Sequence, residues 1–173
     1  IHAGLVTRSI TNEISPSLAK TWHVKENLTT WVFNLRRGAQ FHNGREVTAE
    51  DVKWSFLRLL SPQLQSQNAW FLFPISKAKA FHDGTINSLS SIRITNRYQV
   101  EIDLESPDLG FLHNLAQASC AILPKEEIQQ NNFIGAGPYQ FEEYRQNIYH
   151  LSAFPKFFGG SPYLEYVEII DNH

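Results

Sequence analysis

The alternation of apolar and polar residues predicts two strands, one near the start and one near the middle of the chain. From Thr29 to Leu35 large apolar residues fall on every second position, and the segment from Tyr98 to Leu104 repeats this pattern. Because side chains of a strand point alternately to its two faces, each segment is expected to be half-buried.

The clearest helical pattern begins at Thr48. Thr48 and Asp51 have the spacing of a capping box, in which each residue satisfies a backbone group of the other. An apolar stripe at helical spacing follows, formed by Val52, Phe56, Leu59 and Leu60. We therefore expect a helix that ends before Pro62.

Shorter elements mix helices with strands. Ser106-Pro107 is typical of a helix start, with Leu109, Leu112 and Leu115 as the buried face. The other predicted elements are a helix at Ile75–Phe81, a buried strand at Cys120–Leu123, a polar helix at 125–130, and strands at Tyr139–Tyr144, Tyr149–Ala153 and Tyr166–Ile170. This mixture predicts an α+β fold with a mixed, mainly antiparallel sheet and flanking helices.

Composition narrows the function classes. The 173 residues are 42% hydrophobic and 18% charged, and their formal charge is −2. No stretch concentrates Lys and Arg, so this segment is not expected to contact nucleic acid directly. No apolar run approaches the ~20 residues that a membrane span needs. The chain starts at Ile1 and contains no Met, so we expect a partial domain whose localisation cannot be read from its N-terminus.

The residues give little support to catalysis, a cofactor or a metal. Gly135-Ala136-Gly137 lacks the third glycine of a dinucleotide motif and is interpreted as a tight turn with unusual backbone angles. The seven histidines show no metal-ligand spacing, and no Gly-x-Ser-x-Gly elbow occurs. Cys120 lies in an apolar run and is interpreted as a small core residue. An unrecognised hydrolase stays open as an alternative class.

Three segments together resemble the family 5 extracellular solute-binding proteins, which include oligopeptide, dipeptide and nickel binders. The first contains Leu18-Ala19-Lys20-Thr21-Trp22, then Leu35-Arg36-Arg37-Gly38, and then Phe41-His42-Asn43-Gly44 followed by Thr48-Ala49-Glu50-Asp51-Val52. The second is Gly135-Ala136-Gly137-Pro138-Tyr139. The third is Phe157-Phe158-Gly159-Gly160-Ser161-Pro162-Tyr163-Leu164. The three occur in the family's order and span nearly the whole chain.

The resemblance implies a non-catalytic binding domain. Residues 1–173 would form a single partial domain, the N-terminal lobe of a two-lobed fold of the periplasmic-binding-protein type (type II), with the second lobe absent. The ligand would be a small molecule, peptide-like or sugar-phosphate-like, held in a cleft between two lobes without a cofactor. The partner would be the permease of an ABC-type importer, and the location periplasmic or extracellular.

A finer resemblance points to an alternative. Ala118 to Pro124 and Leu151 to Phe154 are similar to the solute-binding domain of a sugar-phosphate-stress type transcription regulator. Such a domain would act as a cytoplasmic ligand sensor, and DNA would be contacted through a separate domain outside this chain.

The resemblance also suggests ligand-binding residues. Asn68 and Trp70 lie where the nickel-binding branch carries a cleft tryptophan, although a core position for Trp70 is equally compatible with the sequence. Gln117 and Ser119 lie where that branch supplies a basic ligand contact. No arginine stands at 117–120, which argues against recognition of an anionic chelate. His42 belongs to a motif but is interpreted as a packing and turn residue.

Overall fold

A computed structural model describes residues 1–126 and 133–171. Two of its elements are 3₁₀ turns, at Ala69–Leu72 and Ala118–Cys120. The strands and α-helices are β1 (Val6–Arg8), β2 (Ile14–Pro16), β3 (Ala19–Val24), β4 (Thr30–Leu35), α1 (Ala49–Leu59), α2 (Ala78–His82), β5 (Ile92–Asn96), β6 (Gln99–Asp103), α3 (Phe111–Leu115), β7 (Tyr139–Arg145), β8 (Ile148–Ala153) and β9 (Tyr166–Ile170).

The core is built on a four-stranded antiparallel sheet in the order β3-β4-β6-β5. Its inner strand β4 carries Trp31, Phe33 and Leu35, all buried, as the alternation predicted. The rings of Trp31 and Phe33 stack with centroids 6.1 Å apart. Val32 on the opposite face is buried too, so β4 has both faces covered rather than one.

Helix α1 covers this sheet by packing against β5 and β6. The carboxylate of Asp51 accepts the backbone N–H of Thr48 at 2.8 Å, which confirms the predicted reach back to the helix start. Asp51 also accepts two hydrogen bonds from Arg45, at 2.7 and 3.0 Å. Farther along α1, Ser55 accepts the backbone N–H of Leu123 at 2.9 Å, and this contact fixes the segment that follows the 3₁₀ turn Ala118–Cys120.

The remaining strands form two smaller antiparallel sheets. Strands β1 and β2 pair near the N-terminus, and β1 packs against α3. Strands β7, β8 and β9 form a three-stranded sheet in that order. The fold is therefore α+β with antiparallel sheets and flanking helices, as the sequence predicted. Among the described residues no helix is long and apolar enough to cross a membrane.

Several local predictions were wrong. The helix expected to start at Ser106-Pro107 begins at Phe111, and Leu109, expected on its buried face, is 93% exposed. The strand expected at Cys120–Leu123 is a 3₁₀ turn followed by one antiparallel bridge between Ala3 and Ile122. The helix expected at Ile75–Phe81 is the shorter α2, and the helix expected at 125–130 lies largely outside the described residues.

Candidate ligand groove

The N-terminal segment forms the floor of a groove on this fold. Its backbone is held from both sides: Leu18 N–H donates to Gly4 O at 3.2 Å, and Ile122 N–H donates to Ala3 O at 2.9 Å. A Cβ at Gly4 would lie 3.3 Å from the carbonyl oxygen of Leu115. Gly4 thus allows the segment to pass close to the end of α3, where Gln117 follows.

The groove has a volume of about 560 Å³, within the range of small-molecule sites. We call it the N-terminal groove, and it is lined by residues 2–4, 6–7, 16–17, 36, 116–118, 121, 138 and 157–159. One wall is aromatic, since the rings of Phe157 and Phe158 lie 4.5 Å apart. Arg36 adds a cation, with its guanidinium 5.5 Å from the centre of the Phe158 ring.

Of the four residues expected to bind ligand, Gln117 alone lines this groove. Its side-chain amide donates to His113 O at 3.2 Å. Ser119 is half-buried in the adjoining 3₁₀ turn but is not part of the groove wall. Next to it, burial raises the pKa of the Cys120 thiol to about 12, so this thiol stays protonated at neutral pH. Its position agrees with the interpretation of Cys120 as a core residue.

Trp70 lies on the 3₁₀ turn Ala69–Leu72 and Asn68 directly precedes this turn, so both are outside the N-terminal groove. Trp70 is 54% exposed and its ring lies 3.9 Å from that of Phe71, so a core position for this tryptophan is wrong. The turn packs against α3. Trp70 and Gln117 are therefore on neighbouring parts of the fold.

The groove residues that were not predicted from the sequence include Arg36, Phe157 and Phe158. Each belongs to a segment that carries the family resemblance. The motifs were the available signal, but nothing in the linear spacing shows that positions 36 and 157–158 meet.

His42 holds the glycine loop that leads to Pro138 in the groove wall. The ring accepts the backbone N–H of Gly135 on Nδ1 at 3.2 Å and donates from Nε2 to Gly137 O at 3.0 Å. Both bonds together require the neutral ring, with its proton on Nε2. Partial burial lowers the pKa of His42 below its ordinary value of 6.5. His42 thus holds the glycine loop as a neutral side chain, and a packing role is what the sequence predicted.

This arrangement predicts a loss of stability in mild acid. Because the folded state binds the His42 proton more weakly than the unfolded state, stability is complete above pH 6.5 and falls as the pH drops below it. We expect a loss of about 1 kcal/mol, the worth of one hydrogen bond. Urea unfolding between pH 7.5 and 5 measures it. Burial lowers the pKa of His2 as well, to about 4, so His42→Gln should reduce the pH dependence without removing it, whereas His23→Gln, at an exposed site, should leave it unchanged. Equal pH dependence in all three proteins would contradict this role of His42.

The fold and the groove define a class of protein. A backbone floor, an aromatic wall and one cation on an α+β fold are features of a small-molecule binding domain. The family described as bacterial extracellular solute-binding proteins, family 5 Middle, matches residues 13–172. The chain belongs to this family, whose members are binding proteins rather than enzymes.

Relatives agree with this assignment. The dipeptide-binding protein of Escherichia coli K12 is 29% identical over an alignment of 174 positions that covers 90% of this chain and 32% of the relative. The periplasmic murein peptide-binding protein MppA of Escherichia coli K12 is 34% identical over an alignment of 156 positions that covers 83% of this chain and 28% of MppA. The chain thus spans about a third of the length of these curated relatives.

Solved structures show the same fold. The open, unliganded MppA superposes with a TM-score of 0.89 at 26% identity, over 98% of this chain and 35% of MppA. AgaA from Agrobacterium tumefaciens R10, solved with agropinic acid, gives 0.82 at 29% identity, over 98% of this chain and 33% of AgaA. None of these three relatives is described as a transcription regulator or a hydrolase, so neither alternative gains support.

Proposed function

We propose that residues 1–173 form one lobe of a two-lobed receptor that holds a peptide-like small molecule for an ABC-type importer. The N-terminal groove carries this proposal, because it combines backbone groups, the Gln117 amide and two phenylalanine rings around a space of suitable volume. The names of the relatives support it: they bind dipeptides, murein peptides and agropinic acid. A sugar-phosphate ligand has no such support.

The same relatives favour a location outside the cytoplasm, since MppA is described as periplasmic. A second lobe would supply the opposite wall of the cleft and close over the ligand. Asn68, Trp70 and Ser119 would then contact the ligand from outside the groove, or contact the second lobe. Ligand binding by each of these three residues stays a prediction. Single mutations can test it independently of Gln117.

Titration calorimetry of the full-length protein with a panel of di- and tripeptides tests the proposal. We expect saturable heat for some of these peptides, with a negative heat-capacity change because apolar surface is buried. A complete panel without heat, together with binding of a non-peptide such as a sugar phosphate, would contradict the peptide assignment.

The Gln117→Ala variant tests the groove itself. Loss of one amide contact is expected to weaken peptide binding about fivefold, the equivalent of about 1 kcal/mol. Gln63→Ala, at an exposed site away from the groove, is the matched control and should bind like the parent protein. Equal affinities of Gln117→Ala and Gln63→Ala would place the ligand elsewhere, and Trp70→Ala then tests the neighbouring 3₁₀ turn.

A further inference from the structure

A second cavity beside the groove is lined by three cations. Its volume is about 450 Å³, and its walls are formed by Lys20, Leu35, Arg36, Arg37, Gly38 and Phe158. We call it the basic cavity. Among the described residues none of its three cations has a carboxylate within 4.0 Å.

This lack of partners contrasts with other arginines of the chain, because Arg45, Arg93, Arg97 and Arg145 each form an ion pair. Arg36 is held by neutral groups. Its Nε donates to Ser17 O at 2.7 Å, and its guanidinium lies over the ring of Phe158. The two terminal nitrogens have no protein acceptor among the described residues, so a fixed fork of donors is left available.

The surrounding charge favours an anion. Arg37 packs over the ring of Tyr98 at 5.4 Å and remains exposed. One acid, Glu46, lies at the rim of the cavity. One of its oxygens accepts the Gly38 N–H at 2.7 Å, and the other accepts hydrogen bonds from Arg97 and Tyr98. Both oxygens of Glu46 are therefore occupied at the rim of the cavity. Three like charges that share one cavity repel each other, and a bound anion would relieve this repulsion.

Arg36 connects the two cavities, because it lines both the N-terminal groove and the basic cavity. We infer that Lys20, Arg36 and Arg37 form an anion-binding subsite at one end of the groove, which takes a carboxylate or phosphate group of the ligand. This inference rests on the proposed function, in which the groove holds the ligand. The subsite would also supply, from a different part of the fold, the basic ligand contact that positions 117–120 lack.

The first experiment uses the full-length protein with inorganic phosphate and acetate as probes. Titrations followed by ¹⁵N NMR of the arginine Nε–H groups are expected to shift the Arg36 signal saturably. The double variant Lys20→Gln/Arg37→Gln, at two exposed positions, should weaken this binding about tenfold and leave folding intact. The control is Arg58→Gln, because Arg58 lies on α1 away from the cavity and forms no ion pair within residues 1–126 and 133–171. No saturable shift, or the same affinity in all variants, would overturn the subsite.

The second experiment compares ligands with and without the anion. A peptide that binds is tested as the free acid and as its C-terminal amide, and a sugar phosphate is compared with the parent sugar. Loss of the anionic group should lower affinity about tenfold, and Arg36→Gln should reduce this difference. Equal binding of acid and amide would contradict the subsite while the peptide receptor stands. Saturable binding of phosphate or acetate without binding of any peptide would support the subsite and contradict the receptor.

Discussion

Replacing Phe111 by alanine is expected to lower the free energy of unfolding by about 3–5 kcal/mol, the usual cost of removing a buried phenylalanine ring. Phe111 is fully buried at the start of α3, and its ring centroid lies 5.9 Å from that of Trp31 on β4. The substitution would remove the contact between α3 and the sheet and leave a cavity in its place. Because α3 leads directly to Gln117, ligand binding should weaken as well. Urea unfolding at pH 7.5 measures the stability.

Leu109→Ala is the matched control, since Leu109 lies two positions before Phe111 and is 93% exposed. A surface substitution of this kind should change stability by no more than about 0.5 kcal/mol. Equal losses in the two variants would mean that α3 begins earlier and buries Leu109, as the sequence pattern had predicted. A large loss for Phe111→Ala alone agrees with the structure.

The regular elements were predictable because their signals are local. The alternation at Thr29–Leu35 and the capping residues before α1 identify these elements without knowledge of their neighbours. The predicted start of α3 was wrong, and the reason is equally local. The Asp108 carboxylate accepts the Gly110 N–H at 2.8 Å, so a turn replaces the first helical turn expected after Pro107.

The groove was much less predictable than the fold. Its residues come from the N-terminal segment, the end of β4, the segment after α3 and the Phe157–Gly159 turn. Their meeting depends on tertiary packing, which neither periodicity nor spacing encodes. Gln117 was proposed because the resemblance to the nickel-binding branch suggested its position. Arg36 was not proposed, because its own motif identifies it only as the end of a strand.

The structure requires glycine at positions 135 and 137, but for a different reason from the one predicted from the sequence. Gly135 and Gly137 were expected to adopt backbone angles that favour glycine, but neither has a positive φ. Because they have no side chain, these glycines allow the backbone of Ile1 to pass close to the loop. A Cβ at Gly137 would lie 2.5 Å from the carbonyl oxygen of Ile1 and 2.6 Å from its carbon, and one at Gly135 would collide with the same oxygen.

Gly137→Ala is therefore expected to destabilise the protein by about 2–3 kcal/mol, because the added methyl group meets backbone atoms that cannot turn away. The same clash would break the hydrogen bond from Gly137 N–H to Ile1 O, now 2.7 Å, and displace the first residues of the groove floor. Peptide affinity should fall along with stability.

Gly110→Ala is the control, since its Cβ would contact only the Asp108 side chain, at 3.1 Å, and its φ of −77° suits alanine. If urea unfolding gave both variants the stability of the parent protein, the close approach between the glycine loop and the N-terminal segment would be incorrect, and the groove floor would need a different support.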